Sequence, residues 1–310
     1  MTNAYRLLLS AALLSLAAPA LAKGEAPPSP QEQQKAVAEF KASLHPRTGV
    51  IALPEAKARL NLGQGYVFYG PEDSRRVLVD AWGNPADAAD GVLGMVFPAG
   101  GDFSNSWGAV VTFEDTGHIT DKDAASQDYA AVLKDMQEAT ENANEERVKA
   151  GYGRMHLAGW AQAPTYDANR KVLVWARDLA AEGEPEHSLN YDVRSLGRTG
   201  VLSLNMVDGM SRLPVVKAAA GDLGQTVQFD AGARYADFVP GTDAEAEYGL
   251  AGLVAAGAGL AAAKKVGLIG ILLAFGKKFA VLVAVAFGGA WRWLKGRFGK
   301  GDDADGQLQD

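Results

Sequence analysis

Apolar residues recur at helical spacing in several stretches of the chain. A helix predicted over residues 31–44 has one apolar face, formed by Ala36, Val37, Phe40 and Leu44. This is the period of about 3.6 residues that marks an amphipathic helix, and Pro46 stops it. Further helices are predicted over residues 72–82, 124–150 and 210–220.

Short β-branched and aromatic runs bounded by glycine and proline predict strands between these helices. They cover residues 49–53, 65–69, 93–97, 109–113, 154–162, 171–179, 188–196, 200–207 and 226–229. The later strands follow one another directly, and a tight hairpin is expected at residues 196–200. The order of elements predicts an α+β fold, with a mainly antiparallel sheet and flanking helices.

The start of the chain has the pattern of a secretory signal peptide. Arg6 precedes an apolar run over residues 7–18, and Ala20 and Ala22 fit a small-x-small cleavage site. We therefore expect cleavage after Ala22 and export of the mature chain.

Residues 248–291 are apolar apart from two lysine pairs, and tryptophans and basic residues follow them. Basic residues and tryptophans beside an apolar stretch are typical of a membrane boundary. The pattern predicts a C-terminal membrane helix region, whose marker residues are Lys264, Lys265, Lys277, Lys278, Trp291 and Trp293.

The anchor has more than one arrangement, because no uninterrupted apolar run reaches the roughly 18 residues of a spanning helix. A span over residues 266–291 encloses the second lysine pair, and a span over residues 250–276 encloses the first. Two crossings, or an amphipathic helix that lies in the interface, are the alternatives. Small residues four apart would allow packing against another membrane protein or a second copy.

These patterns divide the chain into five parts. Residues 1–22 are the signal peptide, 23–45 a linker and helix, 46–243 the exported domain, 244–291 the anchor region and 292–310 the tail. Basic residues favour the cytoplasmic side of a membrane. We therefore expect the main domain outside the cytoplasm and the C-terminus in the cytoplasm.

Charge and cysteine content exclude several classes of protein. Residues 23–247 contain 21 basic and 33 acidic residues, a net charge of −12, and such a surface is repelled by nucleic acid. The chain has no cysteine, which excludes disulfides, thiol nucleophiles and cysteine-ligated metal. Membrane lipid is the expected partner instead.

No catalytic, cofactor or metal motif emerges from the sequence. The four histidines lie in separate segments without metal-ligand spacing, at His45, His118, His156 and His187. Asp121, Asp123 and Asp128 lack the glycine and closing glutamate of a calcium loop, so capping of the helix over residues 124–150 is preferred. We expect no cofactor.

Aromatic and acidic residues recur together around the predicted sheet, with arginines nearby. One interpretation is a recognition surface, where aromatic rings stack on a ligand and charges orient it. The other is tyrosines packed at sheet edges and arginine–aspartate pairs that fix turns. The residues concerned are Tyr166, Asp167, Tyr191, Asp192, Arg194, Arg198, Arg234, Tyr235 and Asp237.

Several sequence runs resemble one protein family. They are GWAQAPTYD at 159–167, LVWARDL at 173–179, LNYDVRSLGRTGVLSLN at 189–205 and RYADFVPGTD at 234–243. The family consists of uncharacterised bacterial membrane-anchored proteins with one domain of unknown function, and the resemblance covers about residues 49–278. It implies a signal peptide, an exported domain and a C-terminal anchor, but no activity and no functional residue.

Together with the bacterial source that the resemblance implies, these inferences favour a membrane-anchored envelope protein at the bacterial inner membrane. Its periplasmic domain binds, senses or scaffolds rather than catalyses, and its C-terminus lies in the cytoplasm. One alternative is an envelope enzyme that uses carboxylate, tyrosine and arginine side chains. The other is a subunit of a membrane complex in which the anchor lysines line a polar contact, since ionisable residues within a membrane are generally functional.

Overall fold

The computed structural model describes residues 29–149 and 151–257. Its strands are β1 Val50–Leu53, β2 Ala58–Asn61, β3 Tyr66–Tyr69, β4 Val92–Pro98, β5 Gly108–Glu114, β6 Met155–Asp167, β7 Val172–Ala181, β8 Ser188–Leu196, β9 Val201–Gly209 and β10 Val227–Phe229. Its α-helices are α1 Pro30–Ala42, α2 Pro71–Arg75, α3 Tyr129–Lys149, α4 Leu213–Thr226 and α5 Leu250–Ala256. The predicted α+β class is confirmed.

Two antiparallel sheets organise the described chain. Seven strands pair in the order β3-β4-β5-β9-β8-β7-β6, and three short strands pair in the order β1-β2-β10. Strands β8 and β9 form the predicted hairpin, and their register places Tyr191 opposite Met206 and Asp192 opposite Asn205. In the larger sheet, strand β5 also pairs with β9, although the two strands are far apart in the sequence.

One face of the larger sheet packs against α4 and the small sheet. Alternate residues of β8 and β9, such as Val193 and Leu204, are buried there with Val216 and Leu223 of α4. Successive side chains of a strand point to opposite faces. The same strands therefore present a second, different set of residues on the other face.

The opposite face carries two separate groups of helices. Helices α3 and α5 cover β6 and β7, where Met136, Trp175 and Leu253 belong to one buried cluster. Helix α1 and the helical residues that follow α2 cover β4, where Phe40 and Met95 belong to a second buried cluster. Both clusters lie to the sides of the central strands β8 and β9.

Several predicted boundaries differ from the structure. Helix α3 begins at Tyr129 rather than residue 124, because the Asp128 carboxylate accepts the backbone N–H groups of Ala130 and Ala131 and so caps it. The expected capping is thus confirmed for Asp128, whereas the Asp121 carboxylate accepts from Tyr166 and Lys171 instead. The helix over residues 72–82 is α-helical to Arg75 and then a π-helix over Arg76–Ala81.

Two further differences concern helix α4 and strand β2. Helix α4 covers Leu213–Thr226 rather than residues 210–220, and Ser211 donates its hydroxyl to Glu186 at 2.6 Å. Strand β2 is missing from the prediction, since its sequence ARLN has only two apolar residues. Pairing on both sides, with β1 and β10, makes it a strand.

The predicted signal peptide and most of the predicted anchor lie outside the described residues. No helix within residues 29–149 and 151–257 is long and apolar enough to cross a membrane. The start of the predicted anchor region is described. This part includes helix α5, whose Leu250, Leu253 and Val254 are buried in the core of the domain.

Candidate functional site

A stripe of polar side chains crosses the middle of the larger sheet. On β8 the residues that alternate with the apolar set are Asn190, Asp192 and Arg194, and on β9 they include Ser203 and Asn205. All but Asn205 are buried. Because the two strands pair in register, these side chains share the face that also carries α3 and α5.

Asp192 is the centre of this group, which we call the ionic network: Glu114, Arg177, Asn190, Asp192, Arg194, Ser203 and Asn205. One carboxylate oxygen of Asp192 accepts from Arg194 at 3.1 Å and from Asn205 at 2.9 Å. The other accepts from Arg177 at 3.3 Å. The Asp192 side chain is fully buried, and a buried carboxylate requires such partners to offset its lost hydration.

Arg194 links this centre to the edge of the network. Its guanidinium also donates to the Glu114 carboxylate and, at 2.5 Å, to the Ser203 hydroxyl. Burial by itself lowers the pKa of Arg194, but Glu114 and Asp192 outweigh it and raise the pKa above its ordinary value. Glu114 is about one-third exposed, so the network reaches solvent on this side.

The network has unused hydrogen-bonding capacity. Asn190 accepts from Arg177 at 2.6 Å and from Asn205 at 2.6 Å. However, the Nε atoms of Arg177 and Arg194 and the Oδ1 atom of Asn205 are buried without a hydrogen-bond partner in the described structure. Burial lowers the pKa of Arg177, although an arginine stays charged in proteins.

Helix α5 ends beside the ionic network. The Arg194 guanidinium lies over the Trp175 ring, 5.5 Å from its centroid, which is a cation–π arrangement. Gly257 packs directly on both side chains: a Cβ atom at this position would lie 2.7 Å from Trp175 and 3.3 Å from Arg194. The backbone can approach this closely only without a side chain, so the chain leaves the described domain directly over the network.

The structure separates the residues of the predicted recognition surface. Asp192 and Arg194 belong to the ionic network, whereas Tyr191 points to the opposite face and donates its hydroxyl to Gln162 at 2.9 Å. Asp167 accepts the backbone N–H groups of the turn after β6. Residues that are neighbours in the sequence thus lie on opposite faces of the sheet or belong to different groups of side chains.

Tyr166 and Tyr235 come together around Asp121, which the sequence did not connect with them. The Asp121 carboxylate accepts from Tyr166 at 2.8 Å, from Tyr235 at 3.0 Å and from Lys171 at 2.7 Å. Burial raises the pKa of Asp121, but the hydrogen bonds from Lys171, Tyr166 and Tyr235 outweigh it and lower the pKa. Burial, and then Asp121, raise the pKa of Tyr235 to about 12; the same causes raise that of Tyr166.

Arg198, Arg234 and Asp237 fix the segment that precedes α5. Arg198 donates two hydrogen bonds of 2.7 Å to the carboxylate of Asp243. The hydrogen bonds from Arg198 and then from the Val239 N–H lower the pKa of Asp243 to about 2. Asp237 accepts the backbone N–H groups of Gly232 and Arg234. The predicted anchor residues, Lys264, Lys265, Lys277, Lys278, Trp291 and Trp293, lie outside the described residues.

The histidines make pairwise contacts within the described ranges. His45, His156 and His187 each face one carboxylate, and His118 stacks on Phe238 with ring centroids 3.8 Å apart. Within residues 29–149 and 151–257, no group of three or more histidine, aspartate or glutamate side chains is placed to hold a metal ion.

Sequence reasoning missed five members of the ionic network: Glu114, Arg177, Asn190, Ser203 and Asn205. The available signal was the alternation of polar and apolar residues over 189–194 in β8 and over 202–206 in β9. That alternation is also what a solvated sheet face produces. Only the tertiary structure shows that these polar side chains are buried.

Comparison with known proteins identifies the family. A family model described as a protein of unknown function (DUF2167) matches residues 45–288, so the chain belongs to that family. This confirms the resemblance to an uncharacterised family.

Curated and solved proteins add little to this assignment. No curated protein matches the chain. Among solved structures, the solution structure of cyanobacterial PsbP (CyanoP) from Synechocystis sp. is similar at 10% identity, with a TM-score of 0.34, over 61% of this chain and 94% of that chain. A likeness this distant carries no argument about function.

Proposed function

We propose that this protein is exported and held at the bacterial inner membrane, and that its periplasmic α+β domain binds, senses or scaffolds rather than catalyses. The observation that carries the proposal is the packing of α5. This helix is part of the domain core and ends at Gly257, immediately before the apolar, lysine-interrupted segment of the sequence. The helix that precedes the proposed anchor in the sequence is thus packed within the domain.

The short distance along the chain keeps the domain close to the proposed membrane. Only the eight residues 258–265 separate Gly257 from a span over residues 266–291. Even fully extended, they reach roughly 29 Å. A domain held this closely is suited to contacts at the membrane surface.

The packing of α5 also favours one of the two alternative spans. A span over residues 250–276 would pull Leu250, Leu253 and Val254 out of the core. Full burial of such side chains contributes about 1.5–3 kcal/mol each. A span over residues 266–291 leaves these contacts in place, and we propose that it is the membrane helix.

The pKa shifts around Asp121 support a structural role for this group of side chains. A general acid or base works best with a pKa near the operating pH. The pKa of Asp121 is lowered and those of Tyr166 and Tyr235 are raised, so each moves away from neutrality. Hydrogen bonds hold these groups in one protonation state, as suits a structural contact.

Thiol labelling tests the location and orientation, because the chain has no cysteine of its own. Glu138→Cys places one thiol on the exposed surface of α3, and Gln307→Cys places one in the tail. In cells with a permeabilised outer membrane, an impermeant maleimide should label Glu138→Cys at once and Gln307→Cys only after lysis. The mature protein should also begin at Lys23.

Other labelling patterns would contradict the proposal. Labelling of both variants before lysis would place the tail outside the cytoplasm and exclude a single crossing. Labelling of neither before lysis would exclude export. Glu145→Cys, on an exposed position of the same helix, is the matched control and should behave like Glu138→Cys.

A further inference from the structure

An open groove lies on the side of the larger sheet that faces α4, away from the ionic network. It has a volume of about 600 Å³ and is bounded by the turn between β2 and β3, the end of β4, Trp107 just before β5 and the last turns of α4. Ligand pockets commonly measure about 300–1,000 Å³. The groove is therefore large enough for a small ligand.

Four polar side chains line this groove without a hydrogen-bond or ion-pair partner among the described residues. They are the amides of Asn61 and Gln64, the hydroxyl of Tyr66 and the carboxylate of Asp222. Asn61, Gln64 and Asp222 are exposed, and Tyr66 is partly buried.

An aromatic pair forms part of the same groove. The rings of Tyr66 and Trp107 lie 6.0 Å apart at an angle of 55°, and Trp107 is buried behind the lining. An aromatic ring packed in this way gives a rigid apolar surface with a polar tip. Gly63 has a φ angle of +56°, so the turn that carries Gln64 takes a left-handed conformation that glycine adopts without strain.

We propose that this groove binds a short neutral saccharide. Amide groups both donate and accept hydrogen bonds, and a carboxylate accepts them, which matches the hydroxyl groups of a sugar. The half-buried ring of Tyr66 can face the apolar C–H side of a sugar ring. Asp222 and the net charge of −12 on residues 23–247 repel anionic ligands.

The groove is suited to binding rather than to hydrolysis. Glycoside hydrolysis generally uses two carboxyl groups, about 5–9.5 Å apart, on either side of the bond. Asp222 is the one carboxylate among the residues that line the described groove. The saccharide site rests on the proposed binding role, since it names the ligand class of that role, but it does not depend on where the protein resides.

Isothermal titration of the purified full chain tests the site. The probes are two neutral trisaccharides, chitotriose and maltotriose, and the anionic trigalacturonic acid. We expect at least one neutral probe to bind with a Kd in the micromolar to millimolar range and the anionic probe to bind more weakly or not at all. Asn61→Ala, Gln64→Ala and Tyr66→Phe should each weaken binding by about threefold to tenfold, the effect of one lost hydrogen bond.

Matched controls separate the groove from general effects on the fold. Asp135→Asn replaces an exposed helical aspartate and Asn169→Ala an exposed amide. Neither residue lines the groove, and neither substitution should change the affinity. Failure of both neutral probes to bind, equal binding by the groove variants, or preference for trigalacturonic acid would overturn the saccharide site. Cleavage of a bound trisaccharide would overturn the non-catalytic role as well. None of these titration outcomes changes the result of the thiol-labelling test, which concerns only the location of the protein.

Discussion

On strand β8 the guanidinium of Arg194 donates to the carboxylate of Asp192 across 3.1 Å, on the buried face of the larger sheet. The two residues are two positions apart, so the alternation of the strand places them on the same face. Arg177, from the neighbouring strand, approaches the second oxygen of Asp192. Asp192 thus compensates the buried guanidinium of Arg177 and shares the compensation of Arg194 with Glu114.

Removing this carboxylate should destabilise the domain strongly. Asp192→Asn keeps the side-chain shape but leaves Arg177 and Arg194 with less compensation, and breaking a buried ion pair costs about 3–5 kcal/mol. The free energy of unfolding, measured by urea denaturation, should fall by that amount. Asp230→Asn removes a solvent-exposed pair with Arg59 and should cost less than about 1 kcal/mol. Equal losses in the two variants would contradict the central role of Asp192.

Helix α5 should be needed for the stability of the domain. A fragment of residues 29–257 retains Leu250, Leu253 and Val254, whereas a fragment ending at residue 243, the boundary expected from the sequence, lacks them. Burial of three such side chains contributes about 5–9 kcal/mol at most, which is comparable to the whole stability of a typical domain. We expect a cooperative thermal transition for the longer fragment and a much lower Tm, or none, for the shorter. Similar Tm values would show that α5 is an accessory to the core.

Tyr235 should make the domain sensitive to alkaline pH. Folding raises its pKa from 10.0 to about 12, so the folded state holds this proton more tightly than the unfolded state. Its contribution to stability is complete below pH 10 and is lost as the pH rises to about 12. The free energy of unfolding should therefore depend less steeply on pH in this window for Tyr235→Phe. The difference in slope should correspond to the release of up to about one proton on unfolding. Asp121→Asn should lower the pKa of Tyr235, as followed by tyrosinate absorbance; an unchanged titration would exclude the contact as its cause.

The ion pair of Arg198 and Asp243 should contribute to the loss of stability at low pH. Folding lowers the pKa of Asp243 from 3.8 to about 2, so its contribution is present above pH 4 and is lost as the pH falls to about 2. Asp243→Asn should lower Tm at neutral pH and lose less stability between pH 4 and pH 2 than the unmodified protein. Arg198→Gln, which removes the partner, should reproduce both effects. Retention of the full acid-induced loss in both variants would count against the pair.

Periodicity in the sequence determined the fold class and most of the strands. The prediction for β8, residues 188–196, has the bounds of the observed strand, because polar and apolar residues alternate over 188–194 and glycine follows the strand. The motifs of β6 to β9 also identified the family. Local signals suffice for such features, since they depend on residues close together in the chain.

Long-range packing decided the candidate sites. Asp121 lies 45 residues from Tyr166 and 114 from Tyr235, and no local pattern connects them. Tyr191 and Asp192 are adjacent in sequence, yet the sheet places them on opposite faces, so their pairing in the sequence was misleading. Apolar composition marked residues 250–256 as part of an anchor, whereas their contacts with α3 and Trp175 place them in the core. Burial in protein and burial in lipid select the same apolar side chains, and only the tertiary contacts distinguish the two.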